Sequence, residues 1–153
     1  MVGDSLSVGL AAAMSRSSPE TVRGYGVVSS GLSRVMPVDW QVRIRAVVAT
    51  HPSSVVVLVG MNDTPDATYR QRVADFLAPV TEARIPLTVI AVPQTADAVR
   101  IDALNRILAQ AASDIGARFV PLPRFPRAER TRDGIHFTPC GYAHLARVVL
   151  AAP

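Results

Sequence analysis

The run Val55-Val56-Val57-Leu58-Val59 is apolar at every position. A strand with one face in water alternates, so an unbroken β-branched run belongs to a strand covered on both faces, as in a parallel sheet. Leu87 to Val92 reads the same way, and Tyr25 to Ser30 and Arg118 to Pro121 read as shorter strands. The segments between them carry helical spacing. Val38 to Thr50 places Trp40, Ile44 and Val47 at i, i+4 and i+7, one face of a helix. Asp66 to Arg84 is helical in pattern, with Pro79 expected to kink or break it. Asp97 to Ile115 turns Ile101, Leu104, Ile107, Leu108 and Ala111 inward and stops at Gly116. Leu6 to Ser15 and Thr138 to Ala151 read as the first and last helices. Strands alternating with helices make βαβ units. The expected class is therefore α/β, with residues 1–153 as one domain long enough to bury a core.

Several functions are excluded at this level. No apolar run approaches the ~20 residues of a membrane-spanning helix. All 16 basic residues are Arg, which removes the lysine of a Walker A phosphate loop and any Schiff-base lysine. The formal net charge is only +4, giving little support for nucleic-acid binding. Cys140 is the single cysteine, so neither an internal disulfide nor a cysteine-based zinc cluster can form. No signal-peptide pattern is present, and the compartment and oligomeric state stay open. Gly24-Tyr25-Gly26 begins a dinucleotide fingerprint, but Ser29 stands where its last glycine belongs.

Four short segments carry residue types suited to acyl chemistry. Gly3-Asp4-Ser5-Leu6 opens into a helix. A serine there lies beside free backbone N–H groups, where developing negative charge is favoured; Asp4 or Ser5 could equally be a simple cap. Gly31, just past a strand, offers an N–H without a side chain in the way, or is an ordinary turn glycine. Gly60-Met61-Asn62-Asp63 follows the buried run. Ligands of open parallel sheets bind at that end of a strand, where an asparagine amide can donate to an oxyanion; turn and capping duty is the alternative. Asp133-Gly134-Ile135-His136 spaces a carboxylate so that it can fold back onto imidazole Nδ1, leaving Nε2 free as a base. A loop histidine or a metal pair is the alternative, and the other histidines, His51 and His144, offer little towards a metal site.

Taken together and in this order, the segments resemble the SGNH (GDSL-type) hydrolase family. Gly3 to Leu6 resemble its Gly-Asp-Ser-Leu block, Gly31 its oxyanion glycine, Gly60, Asn62 and Asp63 its Gly-x-Asn-Asp block, and Asp133 and His136 its Asp-x-x-His block. The resemblance implies a three-layer α/β/α sandwich on a flavodoxin-like parallel sheet, and ester hydrolysis or acyl transfer without a cofactor; no metal is expected. It implies Ser5 as nucleophile, His136 as base and Asp133 as its orienting acid. Ser5, Gly31 and Asn62 would form the oxyanion hole. Asp4 is expected to order the turn and Asp63 to cap the following helix. The run Asp133 to Pro139 looks most like bacterial members associated with O-acyl groups on envelope polysaccharides, so the expected substrate is a small-molecule or carbohydrate ester, acetyl foremost. An O-acyltransferase with the same residues and a non-catalytic module of the same fold are the alternatives.

Two features stand apart from this pattern. Family members begin with a strand that delivers the Gly-Asp-Ser turn, yet only Met1 and Val2 precede Gly3. Either the sheet lacks its usual first strand or the chain is a fragment of an exported or anchored parent. The segment Pro121 to Arg132 carries Arg124, Arg127, Arg130 and Arg132 just before Asp133. They form either a solvated loop or a device that steers anionic substrates.

Overall fold

A computed structural model describes residues 1–33 and 38–152. The two unbroken apolar runs form neighbouring strands of one sheet, β3 (Val55–Leu58) and β4 (Leu87–Ile90). Around them lie β1 (Val2–Gly3), β2 (Tyr25–Gly26) and β5 (Arg118–Val120), and the five strands are ordered β2-β1-β3-β4-β5. All four pairings are parallel. The helices are α1 (Ser5–Ser17), α2 (Trp40–Val48), α3 (Tyr69–Glu82), α4 (Ala98–Asp114) and α5 (Pro139–Ala151). The chain steps one way from β1 to β2 and the other way from β2 to β5. Right-handed crossovers then put α1 on one face and α2, α3 and α4 on the other. Helix α5 packs beside α1, and α3 packs between α2 and α4. This is the expected three-layer α/β/α sandwich on a flavodoxin-like sheet.

Local sequence explains the helix starts. Asp39 accepts from the N–H groups of Gln41 and Val42 at 2.9 and 3.1 Å, and Asp97 caps α4 through Arg100 N at 3.2 Å. Thr138 caps α5 by accepting from Gly141 N, with Pro139 at the first helical position, where its missing N–H costs nothing. The core joins both layers: Val2, Val57, Leu58, Val89 and Ile90 in the sheet, Leu6, Leu10 and Leu145 on one side, Phe76, Leu104 and Leu108 on the other, all buried. Trp40 of α2 meets Phe76 of α3 edge to face, with ring centroids 5.4 Å apart.

Two expectations change, and the expected shortfall of the first strand is seen as a two-residue stub. Pro79 does not break α3, which continues to Glu82; burial of Val73, Phe76, Leu77 and Val80 outweighs the one hydrogen bond proline removes. The strand read over Tyr25 to Ser30 is only Tyr25–Gly26, because the chain then turns, with Ser30 Oγ donating to Val27 O at 2.6 Å. The slot of the first strand is filled by the two residues of β1, paired with β2 on one side and β3 on the other. Beneath this stub lies a cleft of about 550 Å³ bordered by Met1, Tyr25, Val56, Thr88 and Arg118. The half-buried Met1 ammonium donates to Arg23 O at its edge, and burial lowers its pKa. Among the described residues no helix is long and apolar enough to cross a membrane.

Candidate active site

The carboxyl ends of β1, β2, β3 and β5 release the loops that carry the four segments. At the end of β1 the chain must turn at once into α1. Gly3 adopts φ +153°, and a Cβ there would sit 1.8 Å from Leu58 O, so only glycine fits between the strand and its neighbour. Asp4 follows as N-cap of α1, fully buried. One of its oxygens accepts from Leu6 N at 3.0 Å, the other from Met61 N at 3.0 Å. It thus orders the turn, as expected, and also ties it to the loop after β3. Burial, reinforced by the nearby Asp63 charge, pushes the Asp4 carboxyl up to about 6 against the pull of its two backbone donors.

Ser5 is the first residue of α1. Its Oγ lies 2.9 Å from His136 Nε2, and His136 Nδ1 lies 2.7 Å from Asp133 Oδ2. The other oxygen of Asp133 accepts from Thr131 Oγ1 at 2.6 Å and from the N–H groups of Ile135 and His136 at 2.8 and 3.0 Å. The His136 and Thr131 bonds, with these N–H donors, hold the Asp133 carboxyl well below the usual carboxylate range. The turn closes because Gly134 takes φ +73°, a region open to glycine at little cost. It is clamped at its base by Thr131 N to His136 O and Thr138 N to Glu129 O, both 2.9 Å. The two side chains face solvent, His136 at 39% and Asp133 at 46% exposure.

Gly31 is buried against the loop after β3, and a Cβ there would stand 2.4 Å from Asp63 Oδ1. Asn62 Nδ2 donates to Ser30 O at 2.9 Å, which leaves its second N–H available. The structure therefore brings all four segments together through Ser5–His136, Asp4–Met61 and Asn62–Ser30. Asp63 is a correction. It does not cap α3, whose N-cap is Thr68; it accepts from Ser33 N at 2.7 Å and from the buried Tyr69 hydroxyl at 3.1 Å. Its work is to fix the Gly31 loop against α3.

The arginines of the 121–132 segment divide. Arg127 donates to Thr131 O and Arg132 O at 2.6 and 3.0 Å. Arg130 is buried over the Phe137 ring, 4.0 Å from its centroid, and donates to Ile135 O at 2.8 Å and Gln94 O at 2.9 Å. Those two build the Asp133–His136 turn and are not free to meet a substrate; Arg124 and Arg132 are exposed. Arg100, which reaches the carbonyls beside Asn62, has no motif in the sequence to mark it among 16 arginines, and Arg130 stands out there only as one charge of its segment. His144 pairs with Glu129 at 2.9 Å and packs on Phe125, a structural role. Among the described residues no three His, Cys, Asp or Glu side chains converge on a metal-sized site.

A family model described as a protein of unknown function, DUF459, matches residues 1–129. The chain belongs to the DUF459 family. The match includes Ser5, Gly31 and Asn62 and stops short of Asp133 and His136. A comparison with curated proteins finds no match. Among solved structures, this DUF459 chain is similar to a GDSL-like lipase from Bacteroides thetaiotaomicron, with 18% identity, TM-score 0.77, and coverage of 97% of this chain and 83% of that one. It is similar to LAE5, an alpha/beta hydrolase enzyme from the metagenome of Lake Arreo, Spain, at 16% identity and TM-score 0.78, covering 98% and 91% of the two chains. It is also similar to Axe2, an acetylxylan esterase from Geobacillus stearothermophilus, at 16% identity and TM-score 0.72, covering 97% and 90%. The fold of the chain is that of the SGNH (GDSL-type) hydrolases.

Proposed function

We propose that this chain is a serine esterase that cleaves small acyl esters, acetyl foremost, including esters on carbohydrate. The observation that carries the reading is the continuous hydrogen-bonded line from Ser5 Oγ through His136 to Asp133 at the first residue of α1. In this reading Asp133 accepts a hydrogen bond from the Nδ1–H of His136 and so leaves Nε2 as the base. Ser5 Oγ attacks the ester carbonyl as His136 takes its proton. The oxyanion is met by the N–H groups of Ser5 and Gly31 and by the free Asn62 N–H, at the positive end of the helix. Collapse expels the alcohol, which takes the proton from His136. Water then gives a proton to His136 and attacks the acyl group on Ser5; collapse breaks the Ser5 Oγ–acyl bond, Oγ takes that proton back from His136, and the acid leaves. The solvent-facing His136 side chain, 39% exposed, favours water over a bound sugar as acceptor. The acetylxylan esterase Axe2 and the GDSL-like lipase among the structural relatives support the substrate class. The test is turnover of p-nitrophenyl acetate. Ser5→Ala is expected to abolish it with the circular dichroism spectrum unchanged; substantial residual activity sinks the reading.

A further inference from the structure

The loop that carries Asn62 has no regular structure between β3 and α3, and two of its carbonyls converge on one side chain. Arg100 Nη1 donates to Met61 O at 3.1 Å and to Asp63 O at 2.9 Å, the residues on either side of Asn62. Nε of the same guanidinium donates to Asp97 Oδ2 at 3.0 Å, which fixes it at a second point. Arg100 stands in the first turn of α4, where the helix dipole disfavours a cation. The exposed pair with Asp97 contributes little by itself. Helix stability therefore does not account for an arginine here, whereas a rigid guanidinium held at Nε by Asp97 and aiming Nη1 at two carbonyls does.

We propose that Arg100 is a positioning residue that holds Asn62 where its amide meets the oxyanion. The proposal rests on the esterase reading. An oxyanion donor stabilises the transition state only if it is already in place when charge develops. With the Arg100 bonds gone, the carbonyls at Met61 and Asp63 turn to water and the amide between them loses its fixed aim. A misplacement of about 1 Å is enough to cost roughly 10²-fold in rate.

The test is a double-mutant cycle. Arg100→Met, in the otherwise unchanged chain, is expected to lower kcat on p-nitrophenyl acetate by roughly 10–100-fold, with KM within about twofold. In the Asn62→Ala background the same substitution is expected to change kcat by no more than about twofold, because the group it positions is gone. Equal losses in the two backgrounds, or none in the first, overturn the proposal. Arg100→Lys, which keeps the charge but not the fork, is expected to lie between, and carries the same cycle if Arg100→Met does not fold. A second readout needs no turnover: the Asn62 side-chain amide resonances, assigned by their loss in Asn62→Ala, are expected to shift and broaden in Arg100→Met. Unaltered resonances overturn the proposal, whereas an inactive parent protein overturns only the esterase reading.

Discussion

Asp4 makes stability depend on pH in an unusual direction. Its carboxyl is fully buried, and burial raises its pKa to about 6, against about 3.9 in an unfolded chain. A raised carboxyl pKa means that the folded protein holds a proton the unfolded chain has released between these values. The resulting stabilisation is complete below about pH 4 and is lost as pH rises through about 6. Roughly two pKa units at 1.36 kcal/mol each make it about 3 kcal/mol, a large part of the ~5–15 kcal/mol that holds a domain folded. Asp66, Asp114 and Asp133, whose pKa values are lowered, act in the opposite sense and lose their contribution at more acid pH. Subtraction against Asp4→Asn removes them, since both proteins carry all three. The assay is urea unfolding of the two proteins from pH 4 to pH 7, followed through the buried Trp40. The parent is expected to lose about 2 kcal/mol relative to the variant across that range. A difference that stays constant means Asp4 titrates as it would in water, and the reasoning from its burial is wrong. If the variant does not fold, the carboxyl carbon of Asp4, followed by NMR, reports the same midpoint directly.

Asn62→Ala is expected to lower kcat by roughly 10²–10³, about 3–4 kcal/mol, with little change in KM; a loss confined to KM means Asn62 holds substrate instead. A Val/Ile-rich strand appended before Met1 is expected to extend β1 into the cleft between Tyr25 and Val56. Burying one or two such side chains raises Tm by roughly 5–10 °C, and an unchanged scanning-calorimetry transition refutes this use of the cleft. The exposed Arg124 and Arg132 are expected to favour anionic over neutral esters in kcat/KM at low salt, with the two converging at high salt. Equal salt dependence for both esters disposes of the steering role.

The parts of this molecule written in local spacing were legible in the sequence. Val55 to Val59 could only be a strand covered on both faces, and Asp133 and His136 meet within one turn that Gly134 closes, so their contact needs no knowledge of the rest of the chain. The contacts that assemble the site join distant positions. Asp4 reaches Met61 across 57 residues, and Arg100 reaches Asp63 across 37. Asp63 looked like a helix cap because aspartates before helices commonly are. Its real partners, Ser33 N and the Tyr69 hydroxyl, depend on how the Gly31 loop folds over the sheet. The arginines before Asp133 looked like one charged surface, and only packing reveals that Arg130 lies under Phe137 while Arg124 faces water. Strand lengths were overestimated for a related reason. Ala91 and Val92 remain buried beyond β4, but Asn105 supplies the bonds to the Val92 N–H and carbonyl, at 2.7 and 2.9 Å, where a neighbouring strand would otherwise serve.

The central claim is that Ser5 is an activated nucleophile, and a fluorophosphonate probe tests it without knowledge of the natural ester. The serine oxygen attacks the probe phosphorus as His136 takes the proton and fluoride leaves, giving a stable adduct that mass spectrometry can place. A single labelled residue is expected, Ser5, with labelling lost in both Ser5→Ala and His136→Ala. A protein that stays unlabelled, or carries the label on another serine, contradicts it.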